Sequence, residues 1–177
     1  SGDDGFIHQL NNAGTEQSTI ESEHAAVNLL SDAMFYLDSL TKDAKLATPL
    51  GLVANSCGAQ ACPEDVESPY ANHSVENIVE NLNGFEQFFS GGTGIGFVDY
   101  LTYVGDEDTA EQMTLAITAA KEQLALYEAS LAQTLVDDEA QVEQTHKNVK
   151  AITDKLKTDF IHSLALELPS TSAGDND

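Results

Sequence analysis

The chain has 177 residues, enough for one domain or one lobe of a larger protein, and its 41% hydrophobic share can build a core. Seven lysines and no arginine stand against thirty Asp and Glu, a formal net charge of −23. That balance argues against nucleic acid and anionic membrane as partners, because phosphate would be repelled and no guanidinium is present to grip it; it admits cations, and it also solvates helix faces.

Ser1-Gly2-Asp3-Asp4 reads as a processed end, consistent with removal of a leader. Phe6, Ile7 and Leu10 suffice for a short helix, and Asn11-Asn12-Ala13-Gly14 stops it. A first long helix is predicted over 16–46. Ile20, Val27 and Met34 form one row of its seam, and Leu30, Leu37 and Ala44 the other. Ser18 with Glu21 matches a capping box, which would move the start a turn later. Pro49, Gly51, Gly58 and Pro63 then open a long loop over 47–72. Loops of that length are usually functional or stapled. Cys57 and Cys62 lie inside it with four residues between them, so a bridge or a reduced pair both fit.

The second helix is predicted over 74–89. Ser74 is placed as its N-cap, and Val75, Ile78, Leu82, Phe85 and Phe89 form its apolar face. Gly91 to Gly96 lacks the lysine of a phosphate loop and reads as a turn; a short helix from Phe97 closes near Gly105. Asp108-x-x-Glu111 starts a third long helix over 108–135, with Met113, Ile117, Ala120, Leu124, Tyr127 and Leu131 inward. Asp137-Asp138 ends it and caps the last helix, 138–165, whose core row is Val142, Val149, Ile152, Leu156 and Phe160. Pro169 ends the order and a polar acidic tail follows. No run approaches the ~20 apolar residues of a membrane span, and no long alternation signals a strand. The expected fold is all-α: a single antiparallel four-helix bundle with a long loop after its first long helix.

Two E-x-x-H pairs, Glu21 with His24 and Glu143 with His146, sit on the first and last long helices. Residues three apart share a helix face, and di-iron carboxylate bundles use two such pairs with a Glu from each of two other helices. Here no carboxylate lies on an apolar row of either middle helix. Each residue also has a plainer role: Glu21 as the partner of Ser18, Glu143 as a partner of Lys147, His146 as a histidine at the core edge. No Ser-His-Asp arrangement and no H-E-x-x-H motif is present.

The stretch Glu67-Ser68-Pro69-Tyr70, followed by Ser74, Ile78, Asn81-Leu82 and Gly84-Phe85, resembles the imelysin family of bacterial periplasmic proteins. Lys45-Leu46 with Pro49-Leu50-Gly51 is similar to the same family, as are Leu156-Lys157-Thr158-Asp159 and Gly174-Asp175-Asn176-Asp177. The resemblance implies a periplasmic or cell-surface place and a part in bacterial iron uptake, with iron or another divalent or trivalent cation as the candidate cofactor. In a periplasmic protein Cys57 and Cys62 would be bridged, constraining the unfolded chain by about 2 kcal/mol. Imelysins are classed with metallopeptidases, and their hallmark G-x-H-x-x-E motif is absent from this sequence. The family's chains are about twice this length, so the resemblance is to the C-terminal half. The expected partners are an N-terminal half of the same protein across a cleft, and iron or an iron-carrying ligand. Glu67, Ser68, Tyr70, His73, Ser74, Asn77 and Asn81 are the expected ligand or inter-lobe surface. Within it, Asn81 and Glu67 are expected to fix the incoming loop, and the Ser68–His73 surface to face the other half.

Overall fold

The computed structural model describes residues 5–170 and residue 172; the Gly174–Asp177 motif lies outside them. Among the described residues there are helices and loops and no strand. Short α1 (Phe6–Asn11) precedes α2 (Glu23–Asp32). A 3₁₀ turn (Ala33–Phe35), a first π-helical segment (Leu37–Ala47) and a single turn, α3 (Thr48–Leu50), carry the same rod onward. After the loop come α4 (Ser74–Ser90), α5 (Phe97–Val104), α6 (Glu107–Leu124), α7 (Leu131–Asp137) and α8 (Glu139–Lys155). A second π segment (Leu156–Phe160) and one last turn, α9 (Ile161–Ser163), complete the final rod.

These pieces make four rods around one core. Met34, Leu37 and Leu46 from the first rod meet Ile78, Leu82, Phe85 and Phe89 of α4. Met113, Ile117, Ala120 and Leu124 of α6 and Val142, Val149, Ile152, Leu156 and Phe160 of the last rod close it. The apolar rows of the last three rods are thus the ones the 3-4 spacing predicts. Cross-rod contacts fix the directions. Asn148 donates to Ala119 O at 3.2 Å and Gln123 to Gln141 O at 3.4 Å, so α6 and α8 run antiparallel. Asp38 meets Lys157, and the charge of Lys42, further along the first rod, reaches His146, earlier in the last, so these two rods are antiparallel too.

The caps explain most ends. Asp138 starts α8, its carboxylate accepting from Gln141 N–H at 3.3 Å. Gly105 ends α5 in the left-handed region, φ 87°. Gly91 (φ 74°) and Gly96 close the turn after α4 so tightly that a Cβ on either would collide with the other's backbone.

The first rod departs from its predicted shape. It begins at Glu23, capped by Ser22, whose hydroxyl accepts from Ala25 N–H at 3.0 Å. Ser18 instead donates to Gln9 O at 2.7 Å and accepts from Ile20 N–H, so it pins α1 to the chain before α2 and Glu21 has no capping role with it. Ile20 packs in a separate small cluster with Ala13 and Ala26. Ala44, expected in the seam, is exposed because the π winding turns it outward.

The third rod is interrupted. Asp106, not Asp108, caps α6, accepting from Thr109 N–H at 3.1 Å. The helix stops at Leu124, and Ser130 restarts it by accepting from Gln133 N–H. Asp106 also accepts from Ser163 at the far end of the chain; these hydroxyl and amide donors hold its carboxyl below the usual carboxylate range. The last helix ends at Ser163, and Ala165 turns left-handed at φ 51°. Beyond Pro169, Ser172 is still buried, so packing continues past the predicted end of order. Cys57 and Cys62 are bridged, their Cα atoms 5.6 Å apart. Cys62 N–H donates to Pro49 O at 2.7 Å, which fastens the stapled loop to the end of the first rod.

Candidate functional site

Three parts of the chain build a polar cleft of about 400 Å³, lined by Tyr36, Lys45, Glu67, Asn77, Glu80 and Asn81. The first rod supplies Tyr36 and Lys45, the end of the loop supplies Glu67, and one face of α4 supplies the rest. On α4 the buried row is Ile78, Leu82, Phe85 and Phe89. Asn77 and Asn81, four apart, stand beside that row on a common edge.

Lys45 is the hub. Its Nζ donates to Asn81 Oδ1 at 2.6 Å and pairs with Glu67 Oε2 at 3.1 Å. Its side chain is 13% exposed, against 38% for Glu67. Asn77 Nδ2 donates to the same carboxylate at 3.0 Å and to Ser68 Oγ at 3.2 Å. The Tyr36 hydroxyl donates to the main-chain oxygen of Asn81. Burial pushes the Tyr36 phenol up, so it stays a neutral donor.

Of the seven residues expected here, five form one connected network: Glu67, Ser68, Ser74, Asn77 and Asn81. Two roles differ from expectation. Ser74 does not cap its own helix. It is the first helical residue, and its buried hydroxyl accepts from Ser68 N–H at 3.2 Å. Asn77, rather than Asn81, fastens Glu67 and Ser68; Asn81 positions Lys45. Both amides share one helix edge, and only the path of the loop decides which meets it.

Tyr70 and His73 do not line the cleft. Tyr70 is 99% exposed, and exposed His73 lies 3.9 Å from Glu76. Glu76 borders a separate hollow of about 510 Å³ with Tyr127, Glu128 and Gln133. There the Tyr127 hydroxyl bonds Thr145 at 2.8 Å, and burial pushes it up to about 12. Sequence reasoning passed over Tyr36 and Glu80. Tyr36 belongs to no apolar row, and Glu80 reads as an ordinary solvent-facing acid.

Among the described residues, no three His, Cys, Asp or Glu come together in a group that could hold a metal ion. Glu21 and His24 are exposed at the start of the first rod. Glu143 pairs with Lys147 at 3.1 Å. His146 is half-buried; burial first, then Lys42, Lys150 and Lys147, push its imidazole down and keep it neutral. No helix of the described residues is long and apolar enough to cross a membrane.

The imelysin family model matches residues 4–158, from before α1 to within the second π segment. The chain belongs to the imelysin family. The match begins well before Lys45, where the recognisable motifs start, and so takes in the whole first rod of this imelysin. Comparison with curated proteins and with solved structures gives no match. The Glu67-Ser68-Pro69-Tyr70 motif reaches the cleft through Glu67, which pairs with Lys45.

Proposed function

We propose that this imelysin acts by binding: it is the non-catalytic half of a periplasmic or cell-surface protein of bacterial iron uptake. Its cleft faces a second, N-terminal half of the same protein, and iron or an iron-carrying ligand is held between them. The observation that carries this reading is the preorganised polar wall around Lys45. Three chain segments hold its ammonium, carboxylate and amides at hydrogen-bonding distance from one another. Such order at a half-open rim contributes little to stability and suits recognition, because the groups need not be reordered when a ligand arrives. Glu67 and Glu80 give the cleft an acidic cast that suits a hard cation or its carrier. Peptidase action would need the G-x-H-x-x-E motif that the sequence lacks.

The test is calorimetric titration with ferric citrate, run beside a peptide-hydrolysis assay with and without chelator. The expected result is saturable binding, weakened by about tenfold or more in Glu67→Gln, with no hydrolysis. Chelator-sensitive hydrolysis would favour a metallopeptidase of the imelysin class instead. An oxo-bridged iron spectrum lost in Glu143→Gln would favour a di-iron carboxylate bundle. Iron uptake equal in wild type and Glu67→Gln would remove the cleft from the account.

A further inference from the structure

Two π segments face each other across one buried carboxylate. Asp38 and Lys42 lie in the first segment and Lys157 in the second. Lys42 is wholly buried, the bulkiest fully buried side chain of the described residues. Its Nζ stands 3.1 Å from Asp38 and 3.2 Å from Asp43, while the other oxygen of Asp38 meets Lys157 at 2.9 Å. We infer that this ion network holds the first rod in its π winding, and that the winding sets where Lys45 stands in the cleft.

The burial pattern carries the argument. In the first π segment the buried residues are Leu37, Asp38, Thr41, Lys42, Leu46 and Ala47. They advance in steps of four and five, the signature of turns closed from i to i+5. Thr48 N–H donates to Asp43 O across such a turn. A helix of 3.6 residues per turn would advance by three and four. It would carry Ala44 inward beneath Leu37 and Thr41, and it would turn Leu46 away from them. α winding would thus bury Ala44 and leave Lys42 in water, and it would expose Leu46, which the π winding buries fully.

The observed rod buries Leu46 and Lys42 together. A lone ammonium in the core is costly unless it is paired. Lys42 reaches the core only in the π winding, and it is tolerated there because Asp38 and Asp43 meet it. Lys157 then ties Asp38 to the last rod. The network thus acts with buried Leu46 to hold the π winding. π turns are rare and gather at functional sites. Here the functional consequence lies three residues on, where Lys45 meets Asn81 and Glu67. The winding can be tested without reference to what the cleft binds.

The probe is Ala44→Cys, alkylated without reductant so that the Cys57–Cys62 bridge stays silent. In the π-wound protein the thiol is exposed and should react like a free thiol. In an Asp38→Asn background Lys42 loses its buried carboxylate, so the rod should relax toward α winding, carry Lys42 toward water and draw residue 44 inward. The alkylation rate should then fall by at least about tenfold while helical circular dichroism is kept. Lys157→Met with the same probe should move the rate in the same direction, and it decides alone if Asp38→Asn fails to fold. An unchanged rate in a folded variant overturns the inference. Faster alkylation with loss of helicity in both backgrounds also overturns it, since the network would then be a plain stabilising contact.

Discussion

Lys42 and Lys45 lie three residues apart in one π segment, and each is held by a carboxylate. Their surroundings separate them. Lys42 and its partner Asp38 are both about 1% exposed, whereas the Glu67 partner of Lys45 is 38% exposed. A buried pair stands in a medium that screens little, so losing one member strands a charge. At the rim, water and salt take over whatever a lost partner leaves. The same chemistry is thus structural in one place and available for recognition in the other.

The largest expected effect follows from the buried side. Asp38→Ala should destabilise by about 3–5 kcal/mol, because Lys42 and Lys157 would both lose their buried carboxylate and only partly exposed Asp43 would remain beside Lys42. Urea unfolding measures this directly. A loss below about 1 kcal/mol would mean that water reaches the site, and the contrast would collapse.

Asn77→Ala should cost about 1 kcal/mol, because it removes the amide that bonds exposed Glu67 and half-buried Ser68. Asn81→Ala gives the sharper test. Loop accessibility, read by limited proteolysis near Pro69, should rise in Asn77→Ala and stay at the wild-type level in Asn81→Ala. The reverse result would restore the loop-fixing role to Asn81.

Lys45→Ala should cost about 1 kcal/mol or less, and the cost should shrink further at high salt. The Asp38→Ala penalty should hardly change with salt. Parallel salt dependence in the two variants would show that Lys45 is as dry as Lys42.

What could be read in advance follows the same division. Apolar rows and caps are local signals, so the cores of α4, α6 and α8, Asp138 as a cap and the Gly105 stop were all legible. The break after Leu124 was hidden because Leu124, Tyr127 and Leu131 keep their 3-4 spacing across it. The available signal was Ser130-x-x-Gln133, a capping box in mid-seam. The π winding left no such mark. A charged residue is ordinarily placed in solvent, so nothing in the sequence marks Asp38 and Lys42 as buried. Lys157, 115 positions beyond Lys42, is what makes their burial tolerable, and a pairing that distant is invisible to periodicity. In the cleft, the cluster of polar residues before and along α4 marked the place. Which amide bonds the loop depended on the path between Cys62 and Ser74.

The smallest expected effect tests how far the buried network reaches. His146 on α8 is within reach of the charge of Lys42, and its imidazole is held below the usual value of 6.5 by burial first and by Lys42, Lys150 and Lys147 after it, with Asp154 acting the other way. A histidine whose folded value is lowered takes up its proton later than the unfolded chain does. The unfolded state therefore binds more protons between the folded value and 6.5, and stability rises with pH across that window. The contribution of His146 is complete above about pH 6.5 and is lost as pH falls toward the folded value. Because the ring is only half-buried, the slope should be less than that of one full proton. Urea midpoints measured between pH 5 and 7 should rise with pH, and more steeply in wild type than in His146→Gln. In Lys42→Met the wild-type slope should shrink while His146 is still present, because one of the charges opposing its protonation is gone. An unchanged slope in Lys42→Met would mean that His146 senses burial alone and stands outside the network.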